Sequence, residues 1–348
     1  MSEIASKFTH LLETLTNYDQ PFPPGMLRDF SDLTPVNLHA LKHAWPEIKR
    51  QRKISLLEDL ETVAESDTLV NFDELAKMSL FDEDPAVRVL SIRLLWECEE
   101  AKLIPVFTEM MLSDPAEDVR AAAASALGKF VLLGELDAIP DNLSIANVQN
   151  LLDVVSGEDL PMVRRRALES LGFSCNPKVA EVIEKSAKQE DPQWITSALY
   201  AMARSADDRW SPYILEHLES PDGEVEFEAI RAAGELGIEE ARDTLFDLLD
   251  QTTEDEDLRY ALIWSLSQIG GESVKRKFEE MAKKCTDDEE AEWLEKALDN
   301  LELGGTLEEM EMLEFDPDVD ELAESYDSEE GEEGLIESDD LDEEDFEN

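Results

Sequence analysis

Apolar residues recur every three or four positions along most of the chain, which is the spacing that places them on one face of an α-helix. In the segment that begins at Val119, for example, Val119, Ala123, Ala126 and Leu127 share a face. No stretch has the strict alternation of apolar and polar residues that is typical of a half-buried strand. The pattern therefore predicts an all-α protein.

A ten-residue core recurs six times, with an apolar residue first, usually Arg second, then small residues and a Leu or Ala near the end. The starts are separated by 32, 44, 31, 31 and 33 residues. Looser copies begin at Glu290 and lie within residues 52–63. Repeats of this period are typical of stacked helical units. The six copies are VRVLSIRLLW from Val87, VRAAAASALG from Val119, VRRRALESLG from Val163, WITSALYAMA from Trp194, VEFEAIRAAG from Val225 and LRYALIWSLS from Leu258.

Each copy is expected to open the first helix of a two-helix unit. Asp-Pro pairs occur at Asp84, Asp114 and Asp191. The aspartate supplies a side-chain acceptor at the N-cap, and the proline takes the first helical position, where a backbone N–H would have no partner in the helix. A second apolar helix is predicted after each first one. These second helices are expected at residues 103–112, 179–187, 211–218, 241–249 and 273–281. A pair of helices cannot bury its apolar face alone, so the units must stack into a solenoid.

The recurring aliphatic-Arg, small-residue and Ala-Leu-Gly pattern resembles the short HEAT-like repeats first described in phycobilisome lyase proteins, over roughly residues 45–300. The resemblance implies a right-handed α-α superhelix of about eight helix pairs. It also implies a structural ladder of ion pairs between successive units. The ladder would be interrupted at Ile195 and Glu226, and its arginines would be Arg88, Arg120, Arg164 and Arg259.

Three regions follow from the pattern: N-terminal helices with a Pro-rich linker at 1–44, the solenoid at 45–301, and an acidic tail at 302–348. The N-terminal helix is expected at about 3–16, and the prolines after it predict an extended linker. The 44-residue interval carries extra residues around 130–158, with a break at Pro140. There we expect a longer loop before the second helix.

The chain has 85 acidic and 30 basic residues, a formal charge of -55. Residues 302–348 hold 23 of the acidic residues and no Lys or Arg, so the body alone carries -32. Gly304-Gly305 is expected to end the last helix, and the tail has too little apolar surface to fold. It would act as a solubilising segment or as a bait for a basic partner. The charge would repel nucleic-acid phosphates and anionic lipids.

The chain lacks the nucleotide-binding, nucleophile and zinc-protease motifs that identify common enzymes, so we expect no catalytic residue and no cofactor. His39 and His43 lie four residues apart and would share a helix face, but no third metal ligand is evident, and no metal site is predicted. Cys98, Cys175 and Cys285 are scattered and are expected to be free thiols in a reducing cytoplasm. Neither a signal peptide nor a membrane span is evident.

These observations favour a non-enzymatic scaffold that binds a protein on the concave face of the solenoid, which we expect the second helices to line. The acidic body predicts a basic or neutral protein partner, no direct nucleic acid and no membrane, and the chain is expected to be a monomer. Two alternatives stay open. One is a chaperone or assembly factor for a basic client, and the other is an accessory protein similar to the phycobilin lyases.

Overall fold

The protein is described by a computed structural model that covers the backbone of residues 3–252 and 255–314 and the side chains of residues 7–252 and 255–303. Within these residues the chain forms α-helices and short 3₁₀ helices, with no β-strand. The predicted all-α class is confirmed. The chain divides into two compact units, Met1–Ile269 and Gly270–Asn348.

The first unit contains α1 to α15, and the second contains α16 and α17. The first helices of the repeat are α3 (Arg50–Ser66), α5 (Pro85–Leu94), α7 (Glu117–Glu135), α9 (Pro161–Ser170), α11 (Pro192–Arg204), α13 (Gly223–Glu235) and α15 (Glu256–Ile269). The second helices between them are α4 (Asp73–Ser79), α6 (Leu103–Ser113), α8 (Asp141–Ser156), α10 (Pro177–Ala187), α12 (Ser211–His217) and α14 (Arg242–Gln251). The remaining helices are α1 (Glu3–Thr16), α2 (Pro35–Ala44), α16 (Glu272–Ala282) and α17 (Asp288–Glu314), with 3₁₀ helices at Pro24–Phe30, Trp45–Glu47, Asp208–Trp210 and Glu239–Ala241.

Within the first unit, each first helix from α3 to α13 packs against the next first helix. The second helices α4 to α14 pack against the first helix that follows them. The apolar stripe of each first helix is buried between these neighbours, as Val119, Ala123 and Leu127 are on α7. Stacking therefore builds one continuous core from units that could not bury their apolar faces alone.

The glycine that ends several repeat cores allows neighbouring first helices to approach closely. A Cβ on Gly172 would lie 2.7 Å from the backbone oxygen of Ala201 on α11, and one on Gly234 would lie 2.6 Å from the Cα of Ser265 on α15. Both distances are shorter than carbon atoms tolerate. The Ala-Leu-Gly ending of the repeat is thus a packing requirement between successive units.

Two of the three predicted N-caps are present. Asp84 accepts a hydrogen bond from the N–H of Ala86, and Asp191 accepts one from Gln193. The prediction for Asp114 is wrong, because α7 begins at Glu117 and its N-cap is Ala116. The Asp114 carboxylate accepts from the Ala116 N–H in the turn before the helix and pairs with Arg88 of the preceding unit.

The extra residues of the 44-residue interval lengthen two helices, so the predicted longer loop is wrong. Helix α7 has 19 residues and α8 has 16, and only residues 136–140 connect them. The apolar stripe of α7 continues through Phe130, Val131 and Leu133, which are buried. Burial of these side chains extends the helix past the point where its neighbours α5 and α9 end.

The N-terminal helix lies where the sequence predicts it, but the proline segment is not simply an extended linker. Residues Pro24–Phe30 form a 3₁₀ helix, whose first position accepts proline because it needs no N–H. Phe22, Leu27 and Phe30 are buried, and the rings of Phe22 and Phe30 lie 5.9 Å apart. Apolar burial therefore folds this segment onto the body.

In the second unit, α17 continues through Gly304 and Gly305 to Glu314, so the predicted helix end at the glycine pair is wrong. The residues around the pair are mainly Leu, Glu and Met, whose helix propensity offsets a cost of about 1 kcal/mol per glycine. Residues 315–348, on which most of the predicted disordered tail falls, lie outside the described residues. No helix in the described part of the chain is long and apolar enough to cross a membrane.

Candidate protein-binding groove

Two adjoining cavities, of about 440 and about 430 Å³, lie along the exposed side of α7 and share Ala121 as a lining residue. We call them together the α7 groove. Four successive first helices, α3, α5, α7 and α9, contribute to it, together with the turn that follows α5. Its lining residues are Ile54, Glu58, Ala86, Val89, Leu90, Ile92, Arg93, Leu95, Trp96, Asp118, Ala121, Ala122, Ser125, Ala126, Lys129, Met162 and Arg166.

The groove lies over α7 because this helix carries only small side chains on that side. The floor consists of alanine and serine side chains, which have only one or two heavy atoms. They are Ala121, Ala122, Ser125 and Ala126. Longer side chains of α5 and α9 rise on either side. The repeat pattern predicts a binding surface lined by the second helices, whereas these cavities lie on the first helices.

The walls of the groove are mainly apolar. Leu90 and Ile92 line it from α5, and Met162 lines it from α9. Trp96, in the turn after α5, lines the groove with 60% of its surface exposed. An exposed tryptophan beside an apolar cavity is a common anchor in protein interfaces.

The three cations that line the groove already have partners within the protein. Arg93 pairs with Glu61 of α3 at 2.8 Å, and Arg166 pairs with Glu169 on its own helix at 2.5 Å. Lys129 donates to the backbone oxygens of Leu95, Trp96 and Cys98. Each of these cations therefore already has an acceptor within the protein.

Lys129 in particular secures the end of α5. Its ammonium group caps three carbonyl oxygens at the C-terminus of that helix, where the macrodipole favours a positive charge. Burial lowers the pKa of Lys129. The contact fixes the turn that carries Trp96, so α7 positions the exposed tryptophan of the preceding unit.

The two carboxylates of the groove, Glu58 on α3 and Asp118 on α7, differ from the cations. Glu58 and Asp118 are both exposed. Among the side chains that the structure describes, neither forms an ion pair or a side-chain hydrogen bond. An apolar groove with two available carboxylates on its rim suits a ligand that combines apolar and basic groups.

The predicted ladder residues divide into two kinds. Arg88 donates to Asp114 at 2.7 and 2.8 Å, and Arg120 donates to Asp159 at 2.8 and 2.9 Å, so both bridge to the loop before the next first helix. Each also donates to backbone oxygens of its own loop: Arg88 to the carbonyl of Asp82, and Arg120 to the carbonyl of Asp114.

Arg164 and Arg259 make other contacts. Arg164 donates to the carbonyl of Val155 and lies over the ring of Trp194, and Arg259 donates to the carbonyls of Leu249 and Thr252. Lys53, which is not among the predicted ladder residues, pairs with Asp82 at 2.7 Å. It occupies the Arg position of the looser copy, so alignment of that copy with the others would have identified it.

A buried polar network lies on α9, α11 and α13. The Ser197 hydroxyl donates to Glu169 at 2.7 Å, and both residues are buried. Glu228 of α13 is 7% exposed, its Oε1 has no hydrogen-bond partner, and its Oε2 lies 3.7 Å from Arg231. Burial raises the pKa of Glu228 to about 7, and the nearby Glu235 and Glu169 act in the same direction. The sequence signal for this group is a glutamate on the apolar side of a repeat core.

Two groups of side chains in the described part of the chain have metal-ligand chemistry. His39 and His43 have their rings 4.9 Å apart on α2. Asp73, Cys98 and Glu100 form a group whose ligand atoms lie within 4.8 Å of one another. Lys77 lies 3.6 Å from Asp73 and 2.5 Å from Glu100 and supplies the positive charge there. Burial raises the pKa of the Cys98 thiol to about 11, which keeps it protonated at neutral pH.

Comparison with known families supports the repeat assignment. The family model described as HEAT repeats matches residues 72–144 and 211–299. This match shows that the chain carries HEAT repeats, and the two matched ranges contain four of the six registered cores. No curated protein matches the sequence.

Many solved structures match the fold, at low sequence identity. The X-ray structure of YibA from E. coli is 17% identical, with 82% of this chain and 98% of that chain covered and a TM-score of 0.44. Human deoxyhypusine hydroxylase in complex with glycerol is 16% identical, with 76% and 96% covered and a TM-score of 0.33. A Kap121p mutant is 16% identical, with 82% and 35% covered and a TM-score of 0.42.

Proposed function

We propose that this chain is a protein-binding scaffold that acts without catalysis and holds a basic or neutral partner against its first helices. The observation that carries the proposal is the α7 groove, which combines an apolar floor and walls, an exposed tryptophan and available carboxylates. An exposed apolar patch rimmed by polar residues is typical of a protein-interaction site. The acidic body, at -32, would attract a basic partner before contact.

Site-specific crosslinking tests the proposal. A photo-crosslinking amino acid is placed at Met162 in the groove, and a matched variant carries it at Glu181, which is exposed on the second helix α10. Both full-length variants are illuminated in cells of the source organism. We expect discrete, stoichiometric protein adducts from position 162 that are weak or absent from position 181.

Three outcomes count against the scaffold. Crosslinking that is absent at position 162, or that gives the same adducts at both positions, would show that the groove is not a specific protein-binding surface. Recovery of a small-molecule turnover activity that depends on groove residues would replace the scaffold with an enzymatic role.

A further inference from the structure

We infer that the occupant of the α7 groove is one amphipathic α-helix of the partner, with its apolar face on α7 and Lys or Arg side chains paired with Glu58 and Asp118. This inference rests on the proposed function and names the partner chemistry at the same site. Three properties of the groove carry it: its length, its small-residue floor and its charge.

The groove has the length of a short helix. Its lining residues on α7 run from Asp118 to Lys129, a span of twelve residues, or about 16 Å at 1.5 Å per step. A ligand helix lying along α7 would therefore make about three turns of contact, as in other helix-in-groove complexes. Helices α5 and α9 would flank it, so the ligand would lie beside α7 as a further packed helix.

The floor has the shape that a packed helix needs. Ala121, Ala122, Ser125 and Ala126 lie at positions i, i+1, i+4 and i+5, which form adjoining rows along the helix surface. Short side chains in these rows leave a channel into which larger apolar side chains of the ligand can extend. Leu90, Met162 and the exposed Trp96 would then contact them from the walls.

Charge complementarity selects a basic ligand. The cations Arg93, Lys129 and Arg166 are each held by partners in the protein, whereas Glu58 and Asp118 are exposed and unpaired within the described residues. A ligand carboxylate would compete with an existing ion pair at Arg93 or Arg166 and with backbone carbonyl oxygens at Lys129. A ligand Lys or Arg meets two carboxylates that have no such competitor.

Peptide binding to the full-length chain tests this. The probe is a fluorescent, hydrocarbon-stapled peptide of about 14 residues with leucines along one face and lysines on its flanks. The comparison peptides have glutamates in place of the lysines, or the same lysines with the leucines permuted off one face. We expect the first peptide to bind in fluorescence anisotropy and the two comparison peptides to bind at least about tenfold more weakly.

Variants of the chain separate the groove from the general acidity of the protein. The double variant Glu58→Gln, Asp118→Asn is expected to weaken the lysine peptide about tenfold. The control double variant Glu181→Gln, Glu216→Gln makes the same charge change on the exposed surfaces of α10 and α12 and should alter the affinity less than about twofold. Ser125→Arg, on the exposed floor, should weaken binding by obstructing the channel. Circular dichroism establishes that each variant is folded.

Equal loss of affinity in the two double variants would overturn the inference, because binding would then follow net charge alone. Equal binding of the glutamate or permuted peptide would also overturn it. If such a result accompanied specific crosslinking from Met162, the scaffold proposal would stand and only the basic helix would be wrong. If crosslinking also failed, both would be wrong.

Discussion

Arg88 and Asp114 join two successive repeat units through two hydrogen bonds, from Nε to Oδ2 at 2.8 Å and from Nη2 to Oδ1 at 2.7 Å. Both side chains are nearly buried, with exposed fractions of 11% and 9%. The same arginine donates to the carbonyl oxygens of Asp82 and Glu83 at the start of its own unit. One guanidinium group thus satisfies acceptors on both sides of a unit boundary.

The first prediction is that Arg88→Ala lowers the free energy of unfolding by roughly 3 kcal/mol, because it leaves the Asp114 carboxylate buried without its cation. Lys188→Ala, which removes an exposed ion pair with Glu184 on α10, is the control and should change stability little. Urea unfolding followed by circular dichroism measures both. Similar losses in the two variants would show that the burial of the Arg88 pair has no special effect.

The second prediction concerns the close approach of α13 and α15. Gly234→Ala would place a Cβ 2.6 Å from the Cα of Ser265, so one helix must move and the core must repack. We expect a loss of roughly 2 kcal/mol in the free energy of unfolding. Gly223→Ala on the same helix is the control, because a Cβ there meets no atom within 4 Å. A Gly234 variant as stable as the Gly223 variant would contradict the tight packing.

The third prediction is a pH dependence at Glu228. Its pKa is raised by burial from an ordinary value of 4.5 to about 7 in the folded protein. The folded state therefore holds a proton that the unfolded state releases between these values, so the stabilisation is complete below pH 4.5 and is lost as the pH rises through 7. The groups facing Glu228 are Arg231 and Glu235 on its own helix, Arg204 and Tyr200 on α11, and Glu169 on α9.

Glu228→Gln retains the shape of the side chain without its charge, so it should stabilise the protein by roughly 3 kcal/mol at pH 8 and have little effect below pH 4.5. The measurement is urea unfolding at a series of pH values. Glu216→Gln on α12 provides the matched control. Because this glutamate is exposed, the difference in free energy of unfolding between the control variant and wild type should be small and nearly the same at every pH. A difference between wild type and Glu228→Gln that does not vary with pH would refute the raised pKa.

Several features of the fold could be predicted because they depend on local sequence. The helix class, the positions of the first helices and the caps at Asp84 and Asp191 follow from apolar periodicity and from side chains adjacent to the helix start. Errors occurred where distant contacts compete with local signals. Asp114 leaves the N-cap position and pairs with Arg88 from another unit. The helices on either side of Pro140 are longer than predicted, because the burial of Phe130 and Leu133 extends α7.

The candidate site was less predictable than the fold. In the sequence, the small residues of α7 indicate only that another helix can pack closely against it. Their local pattern does not show which of them contact a neighbouring helix and which line the groove, as do Ala121, Ala122, Ser125 and Ala126. Likewise, the sequence cannot separate Glu58 and Asp118 from the other acidic residues of so acidic a chain. Their availability depends on which partners the cations of α5, α7 and α9 find in the folded chain.

By itself, the sequence determined that this chain is a stack of helical repeats with an acidic body, because periodicity, caps and composition act over a few residues or over the whole chain at once. Only the tertiary structure decided which repeat faces are covered, which charges are paired, and that an apolar groove lies over α7. These properties arise from contacts between units about 30 to 40 residues apart, and local residue patterns do not encode which surface a stacked neighbour leaves open.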